Sequence, residues 1–165
     1  MSRVVLMCGP AGAGKSTHAR RLERAGMVRL SFDVELWKRG LPGMSDEVRN
    51  EIEADLRARL LELIAAGCDV VLDFSFWSRR MRDDYRRLLE PAGIVPETVY
   101  LATDRETVLA RIRARRGSHP DDFTLSEEVA ARYFDHFEVP SADEGPLTVI
   151  HGNGATDRRM TPPGS

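Results

Sequence analysis

The chain has 165 residues, 42% of them hydrophobic and 30% charged, with a formal net charge of −2 and two cysteines. That length fits one domain around one core. The near balance of charge argues against a protein held on nucleic acid by a global basic field, and two lone cysteines argue against a disulfide- or zinc-stapled scaffold.

Apolar runs of strand length alternate with segments of helical period, the pattern of a parallel sheet covered by helices. The first strand is expected at Val4–Cys8. It leads into Gly9-Pro10-Ala11-Gly12-Ala13-Gly14-Lys15-Ser16-Thr17, which matches the phosphate-binding pattern G-x-x-x-x-G-K-[ST]. Glycines there let backbone approach a triphosphate, and the following helix, Lys15–Ala25, offers its N-terminus to the anion. Lys15 then reaches the β- and γ-phosphates, and the Ser16 hydroxyl holds magnesium. The strand before the loop and the register of all required residues favour this over a glycine-rich turn that binds nothing.

A second strand, Val28–Ser31, ends just before Asp33, which opens a short helical segment with Trp37 one turn further on. The next helix, Asp46–Ala66, carries Val48, Ile52, Leu56, Leu60, Leu63 and Ile64 on one stripe, with Ser45 as its cap and Gly67 beyond its end. The strand Val70–Asp73 follows, then Phe74-Ser75-Phe76-Trp77 and a helix over Ser78–Ala92. After a strand at Thr98–Ala102 comes a helix over Arg105–Arg116, and then the polar segment Gly117 to Asp122, which reads as a mobile lid. The last helix, Ser126–Phe137, opens on the capping-box pattern Thr124-Leu125-Ser126-Glu127 and places Val129, Tyr133, Phe134 and Phe137 on one side. The last strand is Leu147–His151, and residues 153–165 read as a loose tail beyond a single domain spanning 1–152. Cys8 and Cys68 read as small core residues in a reducing compartment. The chain shows no membrane-length apolar run and no signal layout, so a cytoplasmic location is expected.

Ligands of such sheets bind beyond the carboxyl ends of the strands, where Asp33 and Asp73 stand. Asp73, after three apolar residues, suits magnesium or its water shell, the alternative being a turn cap. Asp33 can accept the proton of an attacking hydroxyl, or merely cap a helix; spacing alone leaves the two even. Arg111 and Arg115, at i and i+4, share a helix face and can close over a transferring phosphoryl group, although charge runs of this kind are usually solvated faces. Trp77 with Arg79 or Arg82 can line an acceptor pocket, whereas Phe74 reads as core. The four histidines have no ligand spacing and are assigned no role.

Together the phosphate loop, Ser31-Phe32-Asp33, Val71-Leu72-Asp73-Phe74-Ser75-Phe76-Trp77-Ser78-Arg79, Arg111 with Arg115, and Phe137-Glu138-Val139-Pro140 resemble the small AAA-33-type P-loop kinases. This group is similar to zeta toxins, chloramphenicol phosphotransferases, gluconate kinases and polynucleotide kinase domains, and the resemblance runs over residues 3 to 151. It implies a P-loop fold of the nucleoside-monophosphate-kinase kind: a five-stranded parallel sheet flanked by helices, with an arginine-bearing lid. It further implies ATP and Mg2+ as cofactors and an acceptor alcohol near Asp33, with Asp33 as catalytic base. Lys15, Arg111 and Arg115 would lie on the phosphates, and Glu138 near the nucleotide base.

The expected activity is transfer of the γ-phosphoryl group of ATP to a hydroxyl of a small molecule, such as an antibiotic, a nucleoside or a sugar-like compound. Gly9 to Thr17 would bind the nucleotide, Ser16 and Asp73 the metal, and Asp33, Trp37, Trp77 and Arg79 the acceptor. Two other readings stay open. A polynucleotide-end kinase needs a basic groove leading to Asp33. A nucleotide-dependent switch needs no acceptor pocket at all.

Overall fold

The structure is a computed structural model, describing residues 2–10, 13–40, 45–114, 127–151 and 158–160. In chain order the elements are β1 (Val4–Cys8), α1 (Lys15–Arg24), β2 (Val28–Ser31), α2 (Phe32–Arg39), α3 (Asp46–Ala65), β3 (Val70–Asp73) and α4 (Arg79–Leu89), then β4 (Glu97–Ala102), α5 (Arg105–Ala114), α6 (Glu127–Asp135), β5 (Leu147–His151) and β6 (Arg158–Met160). Short 3-10 turns occupy Glu90–Ala92 and Ala142–Glu144. The strands line up as β2-β3-β1-β4-β5-β6, the first five parallel and β6 antiparallel against β5.

The five-stranded parallel sheet therefore agrees with the sequence, and one strand adds to it. Three residues of the expected loose tail, Arg158–Met160, pair with Leu147, Thr148 and Val149. No apolar run announces them: Arg158 and Arg159 stand in a polar, proline-rich end, and their backbone hydrogen bonds to β5 are a tertiary event.

β1 lies at the middle of the sheet and is buried over its whole length, which is why it reads as an unbroken apolar run rather than an alternation. Its side chains divide by the two-residue period. Val4, Leu6 and Cys8 enter one core layer with Leu36 of α2, Ile52, Leu56 and Leu60 of α3, and Tyr85 and Leu89 of α4. Val5 and Met7 enter the other, with Ala19 of α1 and Val108 of α5. In α3 the predicted stripe holds: Ile52, Leu56 and Leu60 are buried while Val48, Leu63 and Ile64 pack at its margin. Its cap is Ser45, whose hydroxyl accepts from Val48 N–H at 3.3 Å.

The face expected on α6 divides. Phe134 packs on the second layer and Phe137 stacks on Tyr100 at 6.0 Å, but Tyr133 is exposed, because nothing covers that side of the helix among the described residues. Cys8 is buried and free, and burial pushes its thiol up to about 12, whereas Cys68 is only partly covered. The capping box at Thr124 to Ser126 and most of the lid lie outside the described residues.

Candidate active site

The parallel arrangement brings the carboxyl ends of β1, β2 and β3 together. Ser31 at the end of β2 pairs in register with Asp73 at the end of β3, so Asp33, two residues later, opens α2 on the same edge. The cap of α2 is Ser31, whose hydroxyl accepts from Val34 N–H at 3.4 Å. Asp33 is thus not needed as the cap, which was its plain structural alternative. Phe32 anchors this turn by an edge-on contact with Phe74 at 4.7 Å between ring centroids.

The phosphate loop is held from both sides. Gly9 N–H donates to the Ser75 carbonyl at 3.2 Å, tying the loop's entry to the segment after β3. A side chain at Gly9 would meet Ala13 Cβ at 3.3 Å and Leu101 Cβ at 3.4 Å, so the position admits only glycine without displacement. Thr103 Oγ1 donates to the Ala13 carbonyl at 3.0 Å, a buried bond that fixes the loop's far limb to the end of β4. Gly14 takes the left-handed φ of +97° that starts α1, and a Cβ there would lie 3.5 Å from an Nη of Arg111. The α5 arginine therefore reaches over the loop from the neighbouring element. Ala11, Gly12 and Arg115 lie outside the described residues.

Ser16 and Asp73 meet directly, the hydroxyl donating to Asp73 Oδ2 at 3.0 Å. The same oxygen accepts from Arg29 Nε at 3.0 Å and Nη2 at 2.7 Å. The Asp73 side chain is only 1% exposed, and Oδ1 is buried with no hydrogen-bond partner among the described residues. A buried acceptor left without a donor is costly, so it is matched in use by water or a cation. A hydroxyl and a carboxylate are the hard oxygen donors that suit magnesium, and this pair fits that ion. Lys15, the first residue of α1, is half-buried beside them and Thr17 is exposed.

The expected acceptor residues are only partly gathered. Trp37 on α2 and Trp77 before α4 are 54% and 43% exposed, open to a ligand and unexplained by packing. Arg79 turns to Asp143 at 3.2 Å and Asp83 at 3.7 Å, and no described contact carries it to the phosphate loop. Arg82, the other arginine considered for a polar substrate, is corrected outright: it is fully buried. Its Nε and Nη2 bind the Glu144 carboxylate at 2.8 and 3.2 Å, and Nη1 donates to the Phe76 carbonyl at 2.8 Å. Phe74, as expected, is core.

Glu138, expected near a nucleotide base, donates its N–H to the Trp77 carbonyl at 2.8 Å, docking the chain after α6 against the segment after β3. Sequence reading missed Arg29, Thr103 and Glu144. Only Arg29 left a signal, a cation between Val28 and Leu30 in a buried strand, which must find a partner.

The AAA domain family model, of the AAA-33 type, matches residues 4–140. The chain belongs to this family. Over 156 residues this AAA domain is 28% identical to the probable gluconokinase of Schizosaccharomyces pombe, the match covering 89% of this chain and 78% of that protein. A sugar kinase from Janibacter sp. HTCC2649 shares its fold with a TM-score of 0.66 and 21% identity over 93% of this chain and 87% of that one. A chain of the Pnkp1/Rnl/Hen1 RNA repair complex does so with a TM-score of 0.71 and 18% identity, over 82% of this chain but 43% of its own length. Fold, phosphate loop and curated relative place this AAA domain among the P-loop kinases. No helix of the described residues is long and apolar enough to cross a membrane.

Proposed function

We propose that this P-loop kinase transfers the γ-phosphoryl group of ATP to a hydroxyl of a small, sugar-like molecule, with Asp33 as the base. The observation that carries the reading is the shared carboxyl edge. Asp33 follows two residues after Ser31, which is in register with Asp73, the partner of Ser16, and Arg111 lies over Gly14 on the phosphate loop. In the reaction the acceptor oxygen bonds to the γ-phosphorus, the bond to the β-phosphate oxygen breaks, and ADP leaves. The hydroxyl proton passes to the Asp33 carboxylate. Lys15 and Arg111 neutralise charge that gathers on the phosphoryl oxygens, and Arg115 is assigned the same task. Ser16 and Asp73 would hold a magnesium ion, which would supply charge neutralisation at the phosphates. Gly9 to Thr17 cradle the nucleotide, and Trp37 and Trp77 line the acceptor side. Arg79, half-exposed and paired at the surface with Asp143, is assigned to the acceptor side with them.

The gluconokinase name of the fission-yeast relative supports a polyol or sugar acid as acceptor. Cytoplasmic residence accords with both ATP supply and the free thiols.

The test is a mass-spectrometric screen of the purified protein with Mg2+ and ATP against sugars and sugar acids, nucleosides, hydroxylated antibiotics and short oligonucleotides. One phosphoryl group gained by a sugar-like compound, absent with Asp33→Asn, is the expected result. Phosphorylation of oligonucleotide ends alone would move the acceptor to nucleic acid. ATP hydrolysis with no acceptor modified in any pool would favour a switch.

A further inference from the structure

Arg29 is the one charged side chain on β2, and it is almost as buried as the carboxylate it meets, at 8% and 1% exposure. We propose that Arg29 is a positioning residue for the metal-holding carboxylate: it commits Asp73 Oδ2 to protein donors and thereby presents Oδ1 alone to the ion. The inference rests on the reading of Ser16 and Asp73 as the magnesium pair.

Two N–H groups of Arg29 and the Ser16 hydroxyl, at 3.0, 2.7 and 3.0 Å, converge on Oδ2, so that oxygen is saturated. Oδ1, equally buried, has no hydrogen-bond partner among the described residues. A carboxylate serving only as a structural counter-ion to Arg29 would divide the two donors between its two oxygens, the parallel fork that guanidinium and carboxylate favour. Here both donors crowd one oxygen and the other, equally buried, is left without a donor among the described residues. The donor geometry fixes the rotation of the carboxylate about its last bond, the variable that decides which lone pairs face the nucleotide. Outer-shell partners of this kind orient a ligand that the metal alone would leave free to turn. A lysine at this position offers a point charge rather than a rigid planar pair, so it would supply the charge without fixing the rotation.

The experiment measures binding of a fluorescent ATP analogue to the wild type and to Arg29→Lys, in EDTA and across a Mg2+ titration, alongside thermal melting. A folded Arg29→Lys protein should bind the analogue in EDTA as the wild type does. It should need about ten- to a hundred-fold more Mg2+ to reach the metal-enhanced affinity. A folded variant with the wild-type Mg2+ dependence would overturn the proposal and leave Arg29 a counter-ion. A wild type whose nucleotide affinity ignores Mg2+ would instead remove the Ser16–Asp73 reading on which the proposal stands. Should Arg29→Lys fail to fold, a crystal structure of the wild type with Mg2+ and a non-hydrolysable ATP analogue decides. Arg29 kept on Oδ2 with the metal facing Oδ1 sustains the proposal, and Arg29 displaced, or the metal on Oδ2, refutes it.

Discussion

The proposed reaction gives Lys15 and Asp33 different tasks, so their substitutions should separate binding from chemistry. Replacing Lys15 by alanine removes a charge-assisted donor to the phosphates, so ATP affinity should fall about ten-fold or more, with turnover falling too. Equilibrium titration with ATP checks this, and unchanged affinity would count against the loop's role. Asp33→Asn keeps size and polarity but cannot take the proton. It should lower kcat by about a hundred- to ten-thousand-fold while ATP binding stays as it was. Both assignments come from the sequence, Lys15 from a spacing that has only one common use and Asp33 from its place after a strand. The role of Asp33 as a cap was not decidable there, because Ser31 and Asp33 are both good capping residues; the structure awards the cap to Ser31. Arg29 is the opposite case. It stood visibly in an apolar strand, but its partner is 44 residues away and no local rule connects them.

At the scale of elements, the segment between β3 and α4 is held by a buried ionic knot. Glu144, in the turn before β5, accepts from Arg82 at 2.8 Å and Arg86 at 3.3 Å and takes the Ser141 N–H at 2.9 Å. Arg82 in turn holds the carbonyl of Phe76, a buried residue at the unfavourable φ of +47°. The bend turns the chain so that Phe76 enters the core while Trp77, its neighbour, faces outward. Burial alone would raise the Glu144 carboxyl, but hydrogen bonds from Arg82 and Ser141 outweigh it and its value lies below the ordinary 4.5. A lowered carboxylate stabilises the fold above its unfolded value, and that contribution is lost as pH falls through the folded one. Glu144→Gln should therefore cost about 3 kcal/mol at neutral pH by leaving Arg82 buried without its charge partner. The difference from wild type should shrink once pH drops below 4.5. Denaturant unfolding at several pH values checks both statements, and a deficit that does not change with pH would refute the assignment.

The whole molecule is two helical layers on a sheet, and its stability is concentrated in them. Leu60, fully buried between α3 and the sheet, should cost about 2–5 kcal/mol when cut to alanine, measured by denaturant unfolding. The tail tests the domain boundary. We expect a chain ended after Gly152 to keep the five parallel strands and its ATP affinity, since β6 adds only three paired residues at the outer edge. Unfolding of that truncated chain, read by circular dichroism, would show instead that β6 is part of the domain.

Strand and helix positions, the phosphate loop and the two aspartates that follow strands were determined by the sequence itself. Each rests on a local period, a cap or a spacing, and these act over a few residues. Tertiary structure alone decided that Arg82 belongs to Glu144, that Arg29 claims one oxygen of Asp73, that Arg111 reaches Gly14 and that β6 joins the sheet. Those are contacts between segments far apart in the chain. Which of several exposed or buried arginines meets which carboxylate depends on strand order and register, quantities that only the assembled sheet defines.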